Sequence, residues 1–275
     1  MSLSNIREGL LKPVFDALEE AFEKLSIDFY LIGAVARDIW YAKGNAVSTG
    51  TRDVDFAVFI ANHEDYNRLR KYLVEEKKFV ESKTNSFTMI SSEGLVVDIL
   101  PFGEIEIDGQ VNIAGEGLTS IQVNGFKEVY ESGTENIEFN KGHVFSVATL
   151  PSIVLLKLIS YDDRPEQRLK DPRDIASIIQ NYFDLQSENI YENHADLFDT
   201  DNFTLQKTGA RVIGREIKTI VESNTALKER VISILTGHIN GAEESFFIRN
   251  MQMDDNFVVS VAIEWLNEII NGISE

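Results

Sequence analysis

The chain has 275 residues, 43% hydrophobic and 26% charged, a composition that suits a globular protein of one large or two modest domains. It contains no cysteine, which excludes disulfides, thiolate-held zinc, iron–sulfur clusters and thiol catalysis, so a metal would have to be held by oxygen or by the four histidines. With 26 Lys and Arg against 45 Asp and Glu the net charge is −19, so the average surface repels polyanions and only a local basic patch would attract them.

In chain order, residues 5–25 place Ile6, Leu10, Val14, Leu18, Phe22 and Leu25 at helical spacing, and 28–32 reads as a short buried strand. Gly33 interrupts that strand. Helical pattern resumes over 34–41, and 43–50 is a loop rich in Gly, Asn and Ser. Residues 53–60 alternate as a strand, 63–76 form an amphipathic helix, and 87–91 with 95–100 make a hairpin across Ser92-Glu93-Gly94. Further strands are expected at 105–107, 120–123, 137–139 and 144–147.

From Thr149 onward helical periodicity dominates, at 150–161, 171–183, 203–221, 227–235 and 258–270. Residues 184–201 hold six acidic side chains and no Lys or Arg, the mark of an exposed linker or loosely packed helix. The expected architecture is therefore α/β, a mixed sheet with flanking helices over 1–148, followed by a helical domain over 149–275. The apolar runs at 153–159 and 257–263 fall short of the ~20 residues that cross a bilayer. The N-terminal stretch lacks a basic segment and an unbroken apolar core, so a cytoplasmic protein without a membrane partner is expected.

The strongest chemical signal is Thr51-Arg52-Asp53-Val54-Asp55-Phe56-Ala57-Val58. On a strand, residues two apart face the same way, so Asp53 and Asp55 present two carboxylates together while Val54, Phe56 and Val58 serve the opposite side. Like charges that close favour an intervening cation, and paired carboxylates suit Mg²⁺, or Mn²⁺, carrying substrate phosphates. Asp98, inside the apolar run Leu95-Val96-Val97-Asp98-Ile99-Leu100, needs a partner or a metal. Beside the Asp53 strand it would complete three carboxylates able to hold two metal ions. Upstream, Gly33 ends a strand and opens a helix, where a backbone without a Cβ can approach a phosphate at the helix's positive end. His63, His143, His194 and His238 are scattered without ligand spacing. No Walker A loop, Gly-x-Ser-x-Gly elbow or dinucleotide fingerprint is present.

These motifs resemble the nucleotidyltransferase superfamily with a polymerase-beta-like fold, over residues 28–175. Gly33-Ala34-Val35-Ala36-Arg37-Asp38 looks like the glycine element of CCA-adding enzymes. Thr51-x-Asp53-x-Asp55 is similar to the element of AbiEii-like proteins of type IV toxin–antitoxin systems, the closest pattern. The resemblance implies a nucleotide-binding turn at Gly33, Ala34 and Thr51. It also implies metal held by Asp53, Asp55 and Asp98, activation of the acceptor hydroxyl by Asp98, and a nucleoside triphosphate as substrate. Lys157, Arg164 and Lys170-Asp171-Pro172-Arg173-Asp174 resemble the basic region after the catalytic domain of AbiEii-like enzymes, which implies that Lys157 and Arg164 steady the triphosphate or the departing pyrophosphate. Family members usually carry Gly-Gly or Gly-Ser where this chain has Gly33-Ala34, although alanine still offers its backbone N–H.

Lys207, Arg211, Arg215 and Lys218 recur at intervals of four, four and three, a basic stripe on one helical face that is more often a solvated face and that an RNA acceptor could also follow. Arg37 and Asp38 read as a structural pair. Three functions compete. The first is nucleotidyl transfer from NTP to a hydroxyl of RNA or protein, with a type IV toxin and a bound antitoxin protein as the implied setting. The second is transfer to a cationic small molecule such as an antibiotic, which the acidic surface suits. The third is a nucleotide-sensing or partner-binding module without turnover.

Overall fold

The computed structural model describes residues 11–44, 53–140, 143–198, 203–252 and 258–275. The expected helix start at 5–10 and Thr51 lie outside them. The chain divides into two compact units, Met1–Tyr130 with Thr134–Thr149, and Glu131–Gly133 with Leu150–Glu275. Among the described residues no helix is long and apolar enough to cross a membrane.

The first unit is built from α1 (Lys12–Leu25), β1 (Phe29–Ile32), α2 (Gly33–Lys43), β2 (Asp53–Phe59), α3 (His63–Lys77), β3 (Val80–Glu81), β4 (Thr88–Ile90), β5 (Val96–Phe102), β6 (Gln110–Asn112), β7 (Ser120–Gln122), α4 (Phe126–Ser132), β8 (Thr134–Asn140) and β9 (His143–Ala148). Seven strands form one mixed sheet in the order β3-β4-β5-β2-β1-β9-β8. Within it β2–β5 and β1–β9 run parallel, and the other neighbours run antiparallel. The hairpin expected at 87–100 is the antiparallel β4–β5 pair.

Period-two alternation gives the sheet two unlike faces. Val54, Phe56 and Val58 of β2, with Val97 and Ile99 of β5, are fully buried on one face. Phe15 of α1 meets Phe56 edge-on at 5.8 Å, and Phe22 lies 4.3 Å from Phe29 between ring centres. The α3 helix is tied to β5 by the Tyr66 hydroxyl, which donates to the Ile99 carbonyl at 2.8 Å. Its first turn is capped by Asn62, whose side chain accepts from the Asp65 N–H at 3.0 Å. The other face is divided along its length. At one end Tyr30, Phe59 and Phe102 pack with Tyr130 of α4, and the Tyr30 hydroxyl donates to the Phe126 carbonyl at 2.8 Å. The opposite end carries Asp53, Asp55 and Asp98.

Residues 105–107, expected to form a strand, instead lead into a tight turn. Ile107 and Gln110 exchange backbone hydrogen bonds at 2.9 and 3.0 Å, and Asp108 and Gly109 both take positive φ, 52° and 73°. Two central residues at positive φ are the signature of a type I′ turn, and Asp-Gly is a pair that adopts it readily. The strand begins after it, as β6. Short elements such as β3 and α4 have too few residues to show a period.

The second unit is helical: α5 (Leu150–Asp163), α6 (Asp171–Leu185), α7 (Ser187–Asn193), α8 (Leu205–Ile220), α9 (Thr225–Gly241), α10 (Phe246–Asn250) and α11 (Val259–Ser274), with 3-10 turns at Ala195–Leu197 and Ala242–Glu244. The acidic stretch 184–201 contains α7 and the first of these turns. Thr204, Asn224 and Ser245 cap α8, α9 and α10 through the N–H groups of Lys207, Leu227 and Ile248. The α8 and α11 helices meet at two glycines. A Cβ on Gly272 would collide with the Arg211 carbonyl oxygen and stand 2.8 Å from the Arg215 nitrogen and 2.9 Å from the Gly214 Cα. Gly237 of α9, by contrast, has open space where a Cβ would sit. The two glycines should therefore respond to alanine with opposite signs. Gly237→Ala should stabilise by about 0.5–1 kcal/mol through backbone entropy, whereas Gly272→Ala should destabilise by about 1–3 kcal/mol through overpacking. Thermal midpoints of the two variants check this, and a gain at both positions would contradict the glycine contact.

Candidate active site

The site is set by strand register. In the parallel β2–β5 pair, Asp53 lies opposite Val96 and Asp55 opposite Asp98. Neighbouring strands run about 4.8 Å apart, so Asp55 and Asp98 stand side by side on one face, with Asp53 two residues along on the same face. Asp53 is exposed, and Asp55 and Asp98 are half-buried. On the opposite side of Asp55, antiparallel β1 brings Ile32 into register with it, and the next residue, Gly33, opens α2.

Gly33 has φ +71°, a left-handed value that favours glycine. A Cβ there would collide with the Asp55 carboxylate, standing 2.9 Å from its Cγ. The glycine thus makes room for the side chain of Asp55 against the first turn of α2. An ionised carboxylate is favoured at that end of a helix, where N–H groups lack intrahelical acceptors. Sequence reading assigned Gly33 to phosphate approach; the packing adds a second requirement, that the Asp55 carboxylate itself fits there. Ala34 supplies the next backbone N–H of the same turn.

Asp98 has the partner that its apolar strand demands. The hydroxyl of Thr88, directly opposite in β4, donates to Asp98 Oδ1. Thr88 is buried and was not singled out from sequence, because a lone threonine shows nothing until the strand pairing is known. Among the described residues no group of three His, Asp or Glu side chains already converges closely enough to hold a metal ion. The carboxylates share a face without converging on one centre. The donor set nevertheless fits a hard divalent cation, since every group is a carboxylate oxygen.

The neighbouring residues of the glycine motif are structural. Arg37 and Asp38, both buried, form an ion pair at 3.0 Å within α2. A cavity of about 710 Å³ opens beside Glu19, Glu23 and Asp28, at the start of β1, whereas the carboxylate face adjoins the end of β1.

In the second unit, Lys157 of α5 is held by Asp171 at 2.6 Å and Asp174 at 2.8 Å, both in the first turn of α6. Burial alone would depress the lysine pKa, but the two carboxylates outweigh it and hold the ammonium above its usual value. Its charge is thereby committed within the unit. Arg164 makes no ion pair among the described residues.

The stripe on α8 is paired along most of its length. Lys207 meets Glu264 at 3.3 Å, Arg211 meets Glu268 at 2.6 Å and also Glu275, and Arg215 joins Glu275 and Asp196. The hydrogen bonds that Arg215 donates to Asp196 and Glu275 raise its guanidinium pKa still further, and the same contacts lower that of Asp196. The stripe is chiefly a fastening between α8, α11 and the 3-10 turn, and only Lys218 lacks an ion-pair partner among the described residues.

No family model and no curated protein matches the chain. Among solved structures it is similar to the antibiotic-resistance factor ANT(2'')-Ia in solution, at 11% identity over 68% of this chain and 94% of that one, with a TM-score of 0.36. It is also similar to an antigenic nucleotidyltransferase-like protein from Paracoccidioides brasiliensis, at 18% identity over 67% and 88%, with the same TM-score of 0.36. At this level of similarity, the functional reading rests on the residues of the site.

The Gly33 contact is testable against Gly94, which shares its positive φ, at +79°, but has open space around its Cβ position. Alanine at either site adds left-handed strain of about 1–2 kcal/mol. Gly33→Ala should lose roughly a further 1–3 kcal/mol from the collision with Asp55. Chemical denaturation of both variants measures the difference, and equal losses would show that Asp55 is not fitted against Gly33.

Proposed function

We propose that the first unit is a divalent-cation-dependent nucleotidyltransferase centre that moves a nucleoside monophosphate from a nucleoside triphosphate to an acceptor hydroxyl. The observation that carries this reading is the β2–β5 register, which sets Asp55 beside Asp98 with Asp53 on the same face and Gly33 at the adjoining helix start. Asp53 and Asp55, with Asp98, would hold Mg²⁺ or Mn²⁺. A cation bound there supplies positive charge against the triphosphate.

The chain's own groups supply the rest. The start of α2, from Ala34 onward, offers the triphosphate backbone N–H groups and the positive end of the helix dipole. Thr88 donates to Asp98 Oδ1, which orients the carboxylate that would accept the proton of an acceptor hydroxyl. The deprotonated oxygen attacks the α-phosphorus, the bond to the bridging oxygen breaks, and pyrophosphate leaves. In the leading reading the acceptor is RNA or protein, with the chain as the toxin of a toxin–antitoxin pair.

The test is transfer of label from each α-labelled nucleoside triphosphate, with Mg²⁺ or Mn²⁺, onto total RNA, protein and a small-molecule extract. The wild-type chain should label one acceptor class, and Asp53→Asn should lower the rate by about a hundredfold or more, the scale on which single preorganised electrostatic groups act. Equal labelling by Asp53→Asn would remove the carboxylates from the chemistry. Nucleotide binding with no label on any acceptor would identify a nucleotide-sensing module.

A further inference from the structure

The positive charge of the second unit is distributed unevenly. The α8 stripe is largely neutralised, whereas the connection between α5 and α6 is not. Residues 164–173 contain four cations, Arg164, Arg168, Lys170 and Arg173, against two carboxylates, Glu166 and Asp171. Asp171 is buried and engaged by Lys157, so it does not offset the cations around it. Asp162 and Asp163, just upstream, are both held by Arg230, at 2.8 and 2.6 Å. None of the four cations makes an ion pair among the described residues. In a chain of net charge −19, four cations against two carboxylates within ten residues are a local excess of positive charge.

The segment is also held in shape. Backbone hydrogen bonds from Gln167 to Arg164, Asp171 to Arg168 and Asp174 to Lys170, at 3.1, 2.9 and 3.0 Å, close three successive turns. Lys157 staples the far end of the segment to α5 through Asp171 and Asp174. Lys170 and Arg173 are exposed, Arg164 and Arg168 are half-buried, and Leu169 between them is 55% exposed. Burial and then the neighbouring Arg168 push the Arg164 guanidinium below its usual pKa, with Asp163 and Glu166 opposing. Asp163 and Glu166 offset that repulsion without forming an ion pair with Arg164 among the described residues, so an external anion would still be favoured there.

We propose that the α5–α6 connection with the first turn of α6, through Arg164, Arg168, Lys170 and Arg173, is the surface on which this protein receives the phosphate backbone of a single-stranded nucleic-acid acceptor. The proposal rests on the transferase reading for the role of the bound strand. Four cations spread over three turns match a ligand with repeated phosphates, and the protruding apolar side chain of Leu169 can lie against an unstacked base. The α8 stripe, with three of its four cations paired, is not this surface.

The experiment is fluorescence anisotropy of a labelled oligouridylate titrated with the full chain across a salt series, alongside calorimetric titration with ATP and Mg²⁺. Four phosphate contacts to a single strand give a slope of log affinity against log salt of about −2.8, and the triple variant Arg168→Gln, Lys170→Gln, Arg173→Gln should reduce it to about −0.7. Affinity for the RNA should fall about tenfold or more while ATP affinity holds. Should the triple variant fold poorly, the single exposed change Arg173→Gln should still remove about 0.7 from the slope. Wild-type protein that fails to bind the oligonucleotide, or a variant with an unchanged slope, would overturn the proposal. So would ATP affinity that falls in step with RNA affinity, since the segment would then serve the nucleotide's own triphosphate. Label transfer onto a small molecule by a wild-type chain that ignores RNA would sink this surface and leave the transferase reading standing.

Discussion

The parallel pairing of β2 with β5 is the constraint on which the rest of the first unit depends. It sets Asp55 beside Asp98, a placement that a register shift by one residue would abolish by turning one of them to the opposite face. The same register buries Val54, Phe56 and Val58, with Phe56 packed on Phe15 of α1. Core packing therefore enforces the position of the carboxylates, because moving them would expose the hydrophobic half of the strand. Gly33 and Thr88 complete the arrangement from the two flanking strands, one by leaving space for Asp55 and the other by donating to Asp98.

The two units manage charge differently. In the first, carboxylates stand together on one sheet face, with Thr88 donating to Asp98. In the second, cations and carboxylates are matched in pairs that fasten helices, with Lys157 joining α5 to α6 and Arg211 and Arg215 joining α8 to α11. Close approach of α8 and α11 at Gly214 and Gly272 brings those partners within reach. Against that background the unpaired cations of the α5–α6 connection stand out.

Much of the framework was legible in the sequence, since seven-residue strands and helices of fourteen or more residues display their period. The alternation around Asp53 and Asp55 and the apolar run around Asp98 led to β2 and β5 and to their common face. Partners distant in sequence were not legible. Spacing shows which face a side chain takes and is silent on what lies opposite, so the basic stripe of α8 gave no sign of Glu264, Glu268 and Glu275 across from it. Thr88 was hidden for the same reason, and Gly33 revealed its need for a missing Cβ without revealing that Asp55 was the neighbour. Short elements, β3, β6, α4 and α10, carry too few residues for a periodic signal.

The central claim is that Asp55 and Asp98 act as one divalent-cation site, and Mn²⁺ binding followed by electron paramagnetic resonance tests it most directly. The wild-type chain should bind Mn²⁺, and Asp55→Asn and Asp98→Asn should each weaken binding by about tenfold or more, as loss of a metal-orienting group does elsewhere. Glu23→Gln, which removes a carboxylate from the acidic cavity at the start of β1, should leave binding unchanged. Equal Mn²⁺ affinity in all four proteins would contradict the account.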